Sequence, residues 1–341
     1  MATVKKKETI LITGANGFVG SKLCEHFIKK GYKVRGLVRK TSDLSFLKPL
    51  MKKLKLYYGD IRNKDSIRAA FKNTDIVIHP AGYTNDWGKM KIFYDINVIG
   101  TKNIAELCLE YSIKHLVHFS TINVYGFNDW IKADENTEIK PTKYPYSITK
   151  LEGERTISHF IKVFNLPATI IQPGQIYGPN DRTMSYKIIE ALVKKQFAVC
   201  SNGKYLMSTL YIDNLMQAVE LIIKKKNKSV GKKYIVTDDL QVTWREFTEY
   251  FCKILKVPFP WINLPGSIGR CFAYILEPMF KLLNTKNAPL ITHFRVDITC
   301  KHFNFTAGKI IKELGYKPNQ NIRDNIEKTV EAYFKYKEQV G

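Results

Sequence analysis

Apolar residues in the first half of the chain gather in short runs, separated by stretches with helical spacing. Runs at 10–12, 34–38, 54–58, 76–79, 116–119 and 168–172 read as buried strands. Between 96 and 111, Ile99, Ile104, Leu107 and Cys108 fall on one face of an amphipathic helix. Strands alternating with helices predict right-handed βαβ units, hence an α/β fold with a doubly wound parallel sheet. From about Pro179 the texture changes. Proline punctuation (Pro258, Pro260, Pro265, Pro278, Pro289) and longer helices replace the alternation. A late run at 233–236, preceded by a helix at 210–223, predicts a strand that returns to the sheet. The expected division is a sheet domain over 1–178 and 209–238, and a smaller, mostly helical domain over 179–208 and 239–335.

The first strand empties into Thr13-Gly14-Ala15-Asn16-Gly17-Phe18-Val19-Gly20. Glycines at 14, 17 and 20 suit a tight turn, close backbone approach and close helix packing, and the helix that follows offers free N–H groups to phosphates. Val19, Leu23 and Phe27 then recur at helical spacing, Gly31 ends the helix, and a second strand begins at 34. A glycine turn alone says little; between a strand and a helix it predicts a dinucleotide site built on Gly14, Asn16, Gly17, Phe18 and Val19. The second strand ends in Val38-Arg39-Lys40 with no carboxylate to meet a ribose diol. Arg39 and Lys40 are instead placed to meet a 2′-phosphate, so NADP(H) is the expected cofactor, with NAD(H) the alternative.

Composition narrows the class. With 341 residues, 45% of them hydrophobic, the chain can bury a large core. Its six cysteines are scattered without a C-x-x-C pair, and its basic start has no apolar leader core, which suggests reduced thiols and a cytoplasmic protein. His115 and His118 share a strand at odd spacing and point to opposite faces, so no metal site is expected. The net charge of +23 comes from lysine spread along the whole chain, without a nucleic-acid-binding signature. That excludes nucleic acid as the expected partner and leaves a solvated basic surface, or peripheral attraction to an anionic membrane. Residues 261–283 are apolar but carry Arg270, Glu277 and Lys281, too many charges for a membrane span; burial in the second domain is expected, a surface-lying segment the alternative.

Two further segments carry chemistry. Tyr146-Ser147-Ile148-Thr149-Lys150 opens an amphipathic stretch that reaches Phe164, and a spacing of four puts Tyr146 and Lys150 on one helix face. Moving a tyrosine from a pKa of ~10 to near 7 takes about 4 kcal/mol, the size of one cation's attraction at ~4 Å in a dielectric near 20. Phe119-Ser120-Thr121-Ile122-Asn123-Val124-Tyr125-Gly126 follows a strand at the sheet edge where α/β folds bind ligands. There the Thr121 hydroxyl can hold a substrate oxygen within reach of Tyr146.

With these motifs, together with Gly59-Asp60, His79-Pro80-Ala81-Gly82, Asn97-Val98-Ile99-Gly100-Thr101 and Gln172 to Pro179, the chain resembles the extended short-chain dehydrogenase/reductase family over nearly its whole length. The resemblance implies Thr121, Tyr146 and Lys150 as catalytic residues. It places Asp60 and Ile61 at the adenine, Lys150 also at the nicotinamide ribose, and Pro173 against the nicotinamide. Pro80, Ala81, Gly82 and Asn97 belong to its cofactor-side motifs. The family often has arginine where this chain has Gln172, and its sugar-nucleotide enzymes have asparagine where it has Gln175; the second change weakens a sugar-nucleotide assignment. The acidic pair of the dehydratase branch is replaced by Ile122 and Asn123. Asn85-Asp86-Trp87-Gly88, Tyr211-Ile212-Asp213-Asn214 and residues 305–318 look like the branch of 3β-hydroxysteroid dehydrogenases and dihydroflavonol reductases. The expectation is therefore an NAD(P)-dependent enzyme interconverting a ketone and a secondary alcohol on a largely apolar small molecule, with a homodimer as one assembly left open. A sugar-nucleotide epimerase is the alternative; a nucleotide-sensing protein without turnover is disfavoured by the complete catalytic set.

Overall fold

In the computed structural model, which describes residues 7–285 and 287–340, seven parallel strands form the central sheet. They are β1 (Thr9–Thr13), β2 (Lys33–Val38), β3 (Leu54–Tyr58), β4 (Ile76–His79), β5 (His115–Phe119), β6 (Ala168–Pro173) and β7 (Lys233–Val236), and their spatial order is 7-6-5-4-1-2-3. β1, β4, β5 and β6 are buried along their whole length, as continuous apolar runs require when helices cover both faces. The strand order reverses between β1 and β4, and the crevice beyond their carboxyl ends is where such sheets bind ligands. All seven expected strands form. Met1–Lys6, most of the basic start, lie outside the described residues.

Helices α1 (Phe18–Lys29), α2 (Lys64–Phe71), α3 (Gly100–Glu110), α4 (Pro145–Phe164) and α5 (Ile212–Lys224) flank the sheet. The expected helix over 96–111 is interrupted: Asp95–Ile99 form a single π-turn before α3 begins. The wider turn carries the buried Asn97 toward the crevice, a use of π-geometry common at functional sites.

Beyond β7 the chain builds α6 (Trp244–Leu255) and α7 (Gly266–Leu282), among shorter pieces, before a terminal helix, Ile322–Val340. α6 starts with a capping box in which Thr243 and Glu246 bond each other's backbone, and its Phe247 packs edge-on against Tyr177. α7 departs from expectation. Only Gly269 and Ala273 of this helix are buried, and Ile268, Phe272, Ile275, Met279 and Leu282 are exposed. The inward stripe is narrow because its residues are small, and among the described residues no element covers the outward one. Segment 261–283 is therefore a surface element rather than core. The cysteines also pair more than their spacing suggests, since the Cys200 and Cys300 thiols share a hydrogen bond. Among the described residues no helix is long and apolar enough to cross a membrane.

Candidate active site

Backbone approach explains the glycine turn. Gly14 has a φ of +58°, and a Cβ there would sit 3.1 Å from the Ala81 Cα. At Gly20 a Cβ would lie 2.1 Å from the Gly14 carbonyl oxygen, so no larger residue allows α1 to begin this close to β1. A Cβ at Gly17 meets nothing nearer than the Gly14 oxygen at 3.4 Å, which leaves open space above the turn. Gly17 caps α1 without a side-chain hydrogen bond, so the first N–H groups of the helix face that space. Asn16 is partly exposed there, while Phe18 and Val19 pack back onto the core and anchor the helix start. This cradle fits a dinucleotide pyrophosphate.

Arg39 and Lys40 are exposed at the end of β2, in a turn where the Arg39 N–H donates to Ser42 Oγ at 3.1 Å. Asp60 follows β3 and pairs with Arg62 at 2.7 Å; those hydrogen bonds, with a further pull from Arg39, hold its carboxyl below the usual range. Asp60, Arg62, Asn63, Asp95 and Ile99 line an open cleft of about 430 Å³. The Ile61 side chain turns away from that cleft into packing, where a Cβ on Gly100 would lie 2.6 Å from its Cδ1.

At the end of β4, Thr13 Oγ1 lies 2.8 Å from His79 Nδ1, and His79 Nε2 lies 3.2 Å from Thr101 Oγ1. Burial and the nearby Lys150 push this imidazole down to about 3, so it is a neutral spacer between sheet and helix. The Ala81 N–H donates to Thr13 Oγ1, which places Pro80, Ala81 and Gly82 over the glycine turn. Asn97 is fully engaged: its Oδ1 accepts from the Tyr83 N–H at 2.8 Å, and its Nδ2 donates to the Tyr83 carbonyl and to Thr149 Oγ1. It joins the loop after β4 to α4 and thereby positions Lys150, rather than offering a free polar group.

The expected catalytic trio comes together. Thr121 starts a tight 3₁₀ turn, Ile122–Tyr125, just past β5, and its hydroxyl hydrogen-bonds to Tyr146. Pro145 at the first position of α4, where a missing N–H costs nothing, starts the helix so that Tyr146 faces the crevice. One turn later Lys150 is buried, with Nζ 2.5 Å from the Phe119 carbonyl. The electrostatics differ from expectation. Burial outweighs the Thr121 hydrogen bond and pushes the Tyr146 hydroxyl up to about 12, instead of Lys150 drawing it toward neutrality. Lys150 itself is pushed down to about 8 by burial, against an upward pull from Glu154. Tyr146 thus holds its proton at neutral pH, as a proton donor must. Pro173 ends β6 beside the crevice.

The structure adds a buried network that the motifs did not announce. Glu154 accepts from Ser120 Oγ at 2.5 Å and from Gln172 Nε2 at 2.9 Å, and Lys233 Nζ lies 3.5 Å away. Tyr125 donates to Gln172 Oε1 at 2.9 Å and completes it. The network braces Ser120, next to Thr121, against the end of β6. Its one sequence signal was the spacing of four from Lys150 to Glu154 on α4.

The arginines near the second region are occupied. Arg182 pairs with Asp43 and lies between the Phe46 and Tyr336 rings, at 4.1 and 4.5 Å from their centroids. Arg245 pairs with Glu249, and Arg270 with Asp297. Gln175 is tied to Ser208 through backbone and side chain.

Comparison with known proteins agrees with this geometry. Residues 10–237 match the model of the NAD dependent epimerase/dehydratase family. The chain is 25% identical to 3β-hydroxysteroid-dehydrogenase/decarboxylase isoform 1 of Arabidopsis thaliana, over 99% of this chain and 82% of that protein. It is 26% identical to the 2-alkyl-3-oxoalkanoate reductase of Shewanella oneidensis, over 96% of this chain and 87% of the relative. The dTDP-glucose 4,6-dehydratase of Streptomyces venezuelae, solved with NAD bound, shares the fold with a TM-score of 0.81 at 20% identity, over 97% of this chain and 98% of the other. A glycine cradle, a Thr–Tyr–Lys constellation and a family match across two thirds of the chain converge: this protein belongs to the NAD dependent epimerase/dehydratase family, enzymes of the extended short-chain dehydrogenase/reductase type.

Proposed function

We propose that the protein interconverts a ketone and a secondary alcohol on a largely apolar substrate, with NADP(H) as the preferred cofactor. The observation that carries the substrate class is the fate of the arginines. Arg182, Arg245 and Arg270, the arginines between 179 and 290, each hold a carboxylate of the protein. A sugar-nucleotide pocket needs such groups for a diphosphate. The names of the Arabidopsis and Shewanella relatives point the same way. Residues 1–178 and 209–238 serve the cofactor in this reading, and 179–208 with 239–335 the substrate.

A nicotinamide dinucleotide bound on Gly14, Asn16 and Gly17 supplies the hydride. The protein's own residues do the rest. Exposed Arg39 and Lys40 meet the 2′-phosphate, the Asp60 cleft takes the adenine, and Lys150 holds the ribose from the far side of the crevice. In reduction the protonated Tyr146 hydroxyl donates to the carbonyl oxygen as it gains charge, and Thr121 hydrogen-bonds the same oxygen. Oxidation runs the same steps backwards and starts from the Tyr146 phenolate, which takes the alcohol proton. Asn97 and Glu154 position Lys150 and the Ser120–Thr121 segment without touching substrate.

The test is a panel of reduced-nicotinamide oxidation assays with apolar oxo compounds (sterol, flavonoid, long-chain) beside UDP- and dTDP-sugars, with product analysis for epimerisation. Turnover of an apolar ketone and none of the sugar nucleotides is expected. Activity confined to sugar nucleotides would assign the epimerase reaction instead.

A further inference from the structure

We infer that α7 and its flanks form a docking surface for an anionic lipid bilayer, beside the mouth of the active site. The helix is apolar on opposite sides. Gly269 and Ala273 face the protein, while Ile268, Phe272, Ile275, Met279 and Leu282 make a second stripe at spacings of four and three that faces solvent. The stripe is extended at both ends by Trp261, 86% exposed, and Leu290, 90% exposed. Soluble monomers rarely leave so long a run of large apolar side chains uncovered. At 17 residues with Arg270, Glu277 and Lys281 within it, the helix lies on a bilayer rather than crossing it.

Charge selects the occupant. Glu277, the sole acidic residue between 257 and 292, is turned inward, where it accepts from the His293 N–H at 2.7 Å. Cations mark the rim: Lys281 is exposed at the end of the helix, and Lys143 lies over the Tyr274 ring. The chain as a whole carries +23. A second copy brought to this face would add like charge to like, whereas an anionic headgroup layer meets both the rim cations and the apolar stripe.

The face also connects to the site. Arg270 bonds Asp297, which accepts from the Tyr144 hydroxyl at 2.6 Å, and Tyr144 caps the helix that carries Tyr146. At the other end the Trp87 indole N–H donates to the Thr285 carbonyl, so the helix leans on the loop that follows Pro80–Gly82. A docked helix therefore brings the bilayer surface to the start of the helix that carries Tyr146 and to the loop after Gly82. Docking follows from the surface alone; delivery of substrate from the bilayer rests on the apolar-substrate reading.

The experiment is co-sedimentation of the full chain with phosphatidylcholine vesicles, with and without phosphatidylglycerol, at low and high salt. Wild type should bind the phosphatidylglycerol vesicles and release partly in salt. The Phe272→Glu, Ile275→Glu double variant should partition about tenfold more weakly, with NADPH affinity by fluorescence unchanged as evidence of an intact fold. Absence of wild-type binding at low salt overturns the proposal. So does equal binding by the variant, which would assign attraction to the lysine-rich surface alone. A dimer in sedimentation velocity that the variant dissolves, without vesicle binding, would reassign the face to self-association. Turnover of a water-soluble ketone should be equal in both proteins; its failure would count against the ketone reading and leave docking standing.

Discussion

The glycine turn after β1 and the outer face of α7 stand at opposite ends of one scale. At the turn, an added methyl group at Gly20 has nowhere to go, and Thr13 is held by both His79 and the Ala81 N–H. On α7, five large apolar side chains are exposed to water, and among the described residues no element covers them. The first region is constrained by the fold itself. The second is constrained by whatever it meets outside. A residue's tolerance to change should therefore report which of the two it serves.

The sharpest break comes from the reacting atoms. Tyr146→Phe should lower turnover by about 10²–10⁴-fold and leave cofactor affinity nearly unchanged, as read by steady-state rates beside NADPH titration. Retention of more than about a tenth of the rate would remove Tyr146 from proton transfer. Next is Arg39→Asp, which should cost roughly ten- to a hundredfold in NADP(H) affinity and shift preference toward NAD(H). Equal affinity of the wild type for both cofactors would show that Arg39 and Lys40 meet no 2′-phosphate.

A pH profile sharpens the same side. With Lys150 near 8, its ammonium is present below that pH and lost above it, whereas Tyr146, near 12, stays protonated throughout. Cofactor affinity should then fall above pH 8 by about tenfold per unit at most, the slope of a single titration. A curve flat to pH 10 would mean that Lys150 keeps its proton. The smallest effect belongs to the other side. Ile275→Glu should change thermal stability by no more than about 0.5 kcal/mol, since the side chain is exposed, while Gly20→Ala should unfold the turn outright. A large loss of melting temperature in Ile275→Glu would show that the stripe is covered in the folded protein.

Much of the first region was legible because its signals are local. Apolar runs mark strands buried on both faces, and glycine marks a close approach that shows directly in the chain. Lys150 was legible for the same reason, one helical turn from Tyr146. The network around Glu154 and the clasp of Arg182 on Asp43 were not, because their partners lie far apart in sequence, 139 positions in the second case. The pKa of Tyr146 was misjudged since spacing shows the cation but not the burial that opposes it. For α7, composition could not tell an inward apolar stripe from an outward one. That distinction required knowing that Gly269 and Ala273, rather than the bulky residues, face the core.

The ion pair between Lys233 and Glu154 also dates the site. Glu154 sits one turn beyond Lys150 and pulls that lysine's pKa up, but its second cation arrives on β7, the last strand added to the edge of the sheet. A chain emerging from the ribosome can form β1 to β6 and α4, with Lys150 already beside the Glu154 carboxylate, and still lack the second cation of that buried group. Completing the catalytic helix is then a late event in folding, coupled to the capture of one edge strand, and amides of β7 and α4 should become protected from hydrogen exchange together.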